Sequence, residues 1–472
     1  MKGIAFKIFI AWVWLCSLNT FAQQAQDTLV MDFREYLGYV KKFHPVAKQA
    51  NLVLNSAEAN LLKARGGFDP KIEVDYSQKE FKNTEYYDIL NATFKIPTWF
   101  GIELKANFEQ NEGVYLNPER TVPDDGLYSA GISVPVAQGL FINDRMATLK
   151  KAKAFRQQSM ADRDLLINDI LYNASLAYFS WLQAYQESLL YQDFLDNALQ
   201  RFKGIKKSAE AGDKAIIDTV EAKIAYQNRN LSLSQAQLNL TKARLELSNF
   251  LWLGNNVPIE LRPSVIPDLD LKNSIDFALE VGGRLLSDIN LENHPKLLSL
   301  NYKIQGLDVD RRLKANKLLP YIGLEYNFLT ETPDIGNSFV TGNYKAGITF
   351  NFPLFLRKER GDLRLAKNKL LDKEYEFLST ELEIKNKISA VFAELESLSE
   401  QTTLIEDIVQ NYDQLLIAET RKFSFGESSI FLINSRERSL IDSQLKNIQI
   451  QNKWLEAKAK LFKTLSINPS DL

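Results

Sequence analysis

Histidine is the side chain best suited to acid–base or metal chemistry near neutral pH. This 472-residue chain has two, His44 and His294, each directly before a proline, in FHPVAKQAN (43–51) and NHPKLLSLN (293–301). As a pair they could ligate a metal or act as a general base. The sequence supplies no other part of such a site: HExxH, CxxC, GxSxG and phosphate-loop patterns are all absent. Cys16 is the single cysteine, and Met31, Met146 and Met160 are scattered. The expectation is therefore no catalytic residue, no cofactor, no metal site and no enzymatic activity.

The spacing of the histidines is more informative than their chemistry. Shifting the chain by 250 positions lays His44 on His294, Pro45 on Pro295, Asn51 on Asn301, Pro70 on Pro320 and Tyr76 on Tyr326 without a gap. YSAGISV (128–134) then meets YKAGITF (344–350) at a shift of 216. Leu140-Phe141 meets Leu354-Phe355, Ala152-Lys153 meets Ala366-Lys367, and Gly212 meets Gly426, all at a shift of 214. The chain is an internal duplication whose first half carries 34 extra residues between its aligned Pro and Tyr. Histidines at equivalent repeat positions share a structural role. Proline is favoured at the first helical position, so each His-Pro marks a helix start.

Elements that could position a site are legible around these markers. The N-terminus reads as a secretory signal peptide over 1–22: Lys2 and Lys7, the apolar IFIAWVWLCSL, then Ala22. Leu15 before Cys16 is too large for a typical lipoprotein cleavage site, so the mature chain is expected to lack cysteine, disulfide and lipid anchor. Removing residues 1–22 takes the net charge from −2 to −4, too balanced to point to nucleic acid. No apolar run of eighteen residues follows, which argues against spanning helices but not against a β-barrel.

Each repeat reads as helix, strands, very long helix, tight turn and long helix. The first covers 23–253, with strands at about 70–137 and long helices at about 141–253. The second covers 254–472, with strands at about 320–353 and long helices at about 358–466. Opening helices are expected in DFREYLGYVKKF, capped by Asp32, and in SIDFALEVGGRLLSDI, capped by Ser274 or Asp276. KIEVDYSQ (71–78) alternates, with Ile72, Val74 and Tyr76 on one face and Lys71, Glu73, Asp75 and Ser77 on the other. The extra residues hold strand-like stretches near 88–97 and 101–110, joined by PTWFG.

From Leu363 to Arg421 there is neither proline nor glycine, enough for a rod of roughly 90 Å. Ile388, Val391, Leu395, Leu398, Thr402, Ile405, Val409, Tyr412 and Leu416 keep strict three-four spacing, the mark of a coiled-coil seam. Subtracting 214 gives Ala174, Ala177, Trp181, Ala184, Ser188, Tyr191, Leu195, Ala198 and Phe202, the same seam in mostly smaller residues. Gly212 and Gly426 then end the rods, with Asp213 or a nearby serine available to cap the next helix.

A duplicated hairpin of this kind, with strand pairs and a signal peptide, resembles the TolC-like outer-membrane efflux protein family. The resemblance covers nearly the whole mature chain and rests on the repeated His-Pro start, GGFDP, LLPYIGLEY, FNFPLFLRKERGDLRLAKNKL and the glycine turn of GDKAIIDTVEAKIAY. It implies a mostly α fold with a β-barrel portion, in which strand pairs complete a trimeric twelve-stranded barrel and helical hairpins form a periplasmic tunnel. It further implies an outer-membrane exit duct extending into the periplasm. Such a duct is passive, serves a tripartite efflux or type I secretion system, and meets an inner-membrane transporter through a periplasmic adaptor. The alternative is a periplasmic coiled-coil adaptor or scaffold.

The resemblance also names candidate sites. Gly212, Asp213, Gly426 and Glu427 would face the adaptor. The closed end of the tunnel would lie nearby, where relatives often carry acidic residues. Asp218 matches such a site, whereas Leu432, Ser435 and Ser428 stand where other charged residues are expected. An apolar constriction of Phe425, Phe431 and Leu432 is expected in their place.

Overall fold

The computed structural model describes residues 29–284, 286, 289–334 and 340–469. The expected signal peptide and Cys16 lie outside the described residues. The chain opens with β1 (Leu29–Met31), α1 (Phe33–Phe43) and α2 (Pro45–Arg65). Asp32 caps α1, its Oδ1 accepting the Glu35 N–H at 2.9 Å. Phe33, Tyr36, Leu37 and Val40 form its buried stripe.

Four strands follow: β2 (Lys71–Phe81), β3 (Thr84–Pro97), β4 (Glu103–Glu112) and β5 (Leu127–Pro135). Helix α3 (Asp144–Glu210) then runs 67 residues, about 100 Å, and α4 (Ile216–Ser248) returns. The second repeat has β6 (Val265–Pro267), α5 (Leu271–Ala278), α6 (Pro295–Asn316), β7 (Tyr321–Thr330), β8 (Tyr344–Asn351), α7 (Arg357–Ser424) and α8 (Ile430–Leu465). α5 is much shorter than the expected 274–289 helix. Glu280 and Gly283 adopt left-handed backbone and stop it. Ser274 therefore lies inside the helix, Asp270 stands at its N-cap, and the Asp276 carboxylate pairs with Lys458 at 2.7 Å.

The helices form a layer of parallel rods. α2, α4, α6 and α8 all pack on α3, and α6 and α8 pack on α7 as well. The predicted seam lies where the rods meet: Ile388, Val391, Leu398, Thr402 and Ile405 are buried on α7. Thr402 is tolerated there because its hydroxyl donates to the Leu398 carbonyl at 2.8 Å. The main core gathers at mid-height around Phe33, Tyr36, Tyr178, Phe179, Trp181 and Phe462. Tyr178 donates to the Met31 carbonyl at 2.6 Å and accepts the Asp268 N–H at 2.9 Å. It thereby fixes the parallel β1–β6 pair to the rods.

All six long strands join one antiparallel sheet in the order β8-β7-β5-β4-β3-β2. The resemblance implies four strands per subunit. The difference lies in the first-half insertion, because β2 corresponds to β7 and β5 to β8, so β3 and β4 are the added hairpin. They pair on both sides and sit inside the sheet.

Candidate functional site

Two regions have a geometry suited to function: the sheet and the pair of helix turns about a hundred ångströms away. In a strand, successive side chains face opposite sides, and the register makes each side continuous. One cross-strand row reads Ile72, Phe94, Ala106, Ala130, Phe328 and Tyr344, apolar across all six strands. The next row reads Lys71, Lys95, Lys105, Gly131, Asn327 and Lys345 on the opposite face. That polar face is laced by ion pairs: Lys95 with Glu73, Lys105 with Glu325 at 3.4 Å, and Glu103 with Arg145 of α3 at 2.7 Å. On the apolar face Phe108 and Tyr128 lie 4.7 Å apart by ring centroid. An outward apolar and inward polar face is the pattern of a membrane barrel wall. No helix among the described residues is long and apolar enough to cross a membrane.

The two helix turns share one backbone closure. Gly212 (φ +86°) and Gly426 (φ +80°) take the left-handed backbone, and the following N–H reaches back five residues. Asp213 N–H donates to Ser208 O at 2.9 Å, and Glu427 N–H to Lys422 O at 3.0 Å. This is the Schellman closure, for which glycine is preferred. Neither Asp213 nor any other side chain caps α4, whose N-cap is Ala215; Ser429 caps α8, accepting the Leu432 N–H at 3.3 Å. Ile205, Ala222 and Ile430 pack the two tips together, with Phe202 and Phe423 against them.

Residues 286–466 match the family model described as outer membrane efflux protein. Over about nine-tenths of its length the chain has the fold of solved outer-membrane proteins. VceC from Vibrio cholerae matches at 13% identity and TM-score 0.65, over 92% of this chain and 96% of that one. The open-state MtrE channel of Neisseria gonorrhoeae matches at 13% and 0.66, over 92% and 88%. CmeC from Campylobacter jejuni matches at 13% and 0.63, over 92% and 85%. No curated protein matches the sequence. CmeC and MtrE are described as outer-membrane channels and VceC as an outer membrane protein.

The candidate tip residues separate by environment. Gly212, Asp213, Gly426 and Glu427 are exposed. Phe425, Phe431 and Leu432 gather at the second turn with 70%, 65% and 38% of their surface exposed. Asp218 lies half-buried in the first turn of α4. Ser435 is exposed, whereas the Ser428 hydroxyl donates to Glu419 at 2.5 Å.

Sequence reasoning missed one charged group. Glu437 is 1% exposed and accepts from Arg201 of α3 at 2.7 Å and from Arg229 of α4 at 3.5 Å. It ties three helices together just above the turns. The available signal was spacing: Glu437 continues the three-four series Ile430, Ile433, Glu437, Leu440, an acid at a seam position.

The histidines are helix caps. Nδ1 of His44 accepts the Val46 N–H, and Nδ1 of His294 accepts the Lys296 N–H, each at 3.2 Å. Nε2 of His294 lies 3.0 Å from the Thr464 carbonyl, which fixes its proton there. Burial lowers the pKa of both rings, against a smaller opposing pull from a backbone hydrogen bond. Both are therefore held neutral. Among the described residues, no cluster of His, Cys, Asp and Glu is placed to hold a metal ion.

Proposed function

We propose that the chain is a passive outer-membrane exit duct of a tripartite efflux or type I secretion assembly, working as a homotrimer. In this reading residues 1–22 are removed, and repeats 23–253 and 254–472 each give strands to the wall and rods to the tunnel. The turns at Gly212, Asp213, Gly426 and Glu427 meet a periplasmic adaptor, which links the duct to an inner-membrane transporter. Phe425, Phe431 and Leu432 narrow the periplasmic end, with Asp218, Ser428 and Ser435 beside them.

One observation carries the reading: an open sheet, apolar on one face and polar on the other, continues directly into rods of about 100 Å. A sheet with two free edges is unstable in lipid, since its unpaired backbone groups find no water there. Closure with further copies removes the edges. The test is the location and native mass of the protein after mild detergent extraction. Three copies in an outer-membrane particle are expected. A soluble periplasmic monomer or dimer overturns the duct and supports a coiled-coil scaffold instead.

A further inference from the structure

We infer that the membrane wall of this duct has eighteen strands, six from each subunit, and that each subunit joins the next by pairing its β2 with the neighbour's β8. The inference rests on the trimeric duct proposed above and adds the composition of its wall.

Four observations support it. First, the added β3–β4 hairpin is hydrogen-bonded on both sides, to β2 and to β5. Leaving it out of the wall would require breaking two full ladders and pairing β2 with β5 instead. Second, the added strands carry the same face pattern as the strands shared by both repeats. Phe94 and Ala106 continue the apolar row, and Lys95 and Lys105 continue the polar one. β3 and β4 are 14 and 10 residues long, enough to cross the bilayer. A hairpin lying outside the membrane has no need of that match. Third, their connecting turn is anchored at the helix end of the sheet. Asn143 at the start of α3 donates to the Trp99 carbonyl at 3.0 Å, and Trp99 packs against Ile142, Met146 and Leu313.

Fourth, sheet and rods leave their unpaired surfaces on the same two sides. Every residue of β2 and of β8 is exposed. β2 follows α2, and α2 and α4 both pack on α3. α4 presents an exposed heptad stripe of Ile217, Ile224, Leu231, Leu238 and Leu245. At the opposite edge β8 leads into α7, which exposes Leu371, Tyr375, Leu378 and Leu382 at three-four spacing. By contrast, α8 exposes large apolar residues only at its start, Phe431 and Leu432. Two different, complementary edges make a head-to-tail contact, which closes into a ring. The occupant of each edge is thus a second copy of this chain. β2 runs away from the helices and β8 towards them, so the new pair is antiparallel like the rest of the sheet.

Barrel diameter grows roughly linearly with strand number, so this wall is about half again as wide as a twelve-stranded one. The test is electron cryo-microscopy of the detergent-extracted native trimer, counting strands in the membrane section. Eighteen strands with a β2–β8 junction are expected. A trimer with twelve strands and a displaced β3–β4 hairpin overturns the inference but leaves the duct intact; a particle that is not a trimer overturns the duct itself. A second measurement uses labels on single cysteines in membranes. Phe94→Cys and Phe108→Cys should be quenched from the lipid phase, and Thr93→Cys and Asn107→Cys only from water. Aqueous quenching alone at Phe94 and Phe108 would place the hairpin outside the wall and overturn the inference.

Discussion

The buried carboxylate of Glu437 is a direct probe of what holds the two hairpins together above their turns. Arg201 supplies its shortest contacts, 2.7 Å to one oxygen and 3.3 Å to the other, while Arg229 reaches only to 3.5 Å. Arg201→Ala leaves a carboxylate of 1% exposure with one long partner. Breaking a buried pair costs about 3–5 kcal/mol. Because Arg229 remains, the expected loss is at the low end, about 3 kcal/mol, or roughly 100-fold in an opening equilibrium. Amides of α4 around Arg229 and of α8 around Glu437 should therefore exchange with deuterium roughly 100-fold faster in the variant. The paired replacement Arg201→Met with Glu437→Leu removes both the charge and its partner. It should restore most of the protection, since apolar replacement of a whole buried pair is often neutral or stabilising. Exchange that is unchanged by Arg201→Ala, or equally fast in both variants, would refute the claim that this pair fastens the hairpins.

Three further outcomes are expected. Burial lowers the His294 pKa below the ordinary histidine value of about 6.5, so the unfolded chain takes up a proton first. The contribution of His294 is therefore full above about pH 6.5 and falls as the pH drops towards the lower folded value. His294→Asn keeps a cap but cannot titrate, and thermal unfolding between pH 8 and 5.5 should show a shallower acid decline than the parent. Gly426→Ala meets no atom within 4 Å but must hold a φ of +80°, so a loss of about 1 kcal/mol is expected in thermal melts; an unchanged melt would mean the turn has rearranged. Leu432→Ser should alter single-channel conductance in planar bilayers, and parental conductance would remove Leu432 from the proposed constriction.

Much of this molecule is written in local patterns. The two rods follow from long stretches without proline or glycine, and their turns from Gly212 and Gly426, because helix continuation and left-handed backbone are decided within a few residues. The alternation of KIEVDYSQ declares a strand with unlike faces, and the three-four series from Ile388 to Leu416 declares the seam. The repeat itself revealed that His44 and His294 are structural. Its unequal halves also located the insertion.

Tertiary structure decided whatever depends on a distant partner. Alternation in residues 88–110 marks strands but cannot say which neighbour they pair with, since ladder bonds join segments far apart in sequence. Only the folded sheet puts β3 and β4 between β2 and β5. The His-Pro pattern marks a helix start, yet the proton on His294 is set by the carbonyl of Thr464, 170 residues away. Asp213 has the chemistry of a cap but lies in a turn already closed by backbone bonds. Glu437 looks like one more surface acid until α3 and α4 bring Arg201 and Arg229 to it. Residue type and period are local properties, whereas pairing, protonation and burial belong to the neighbours that the fold supplies.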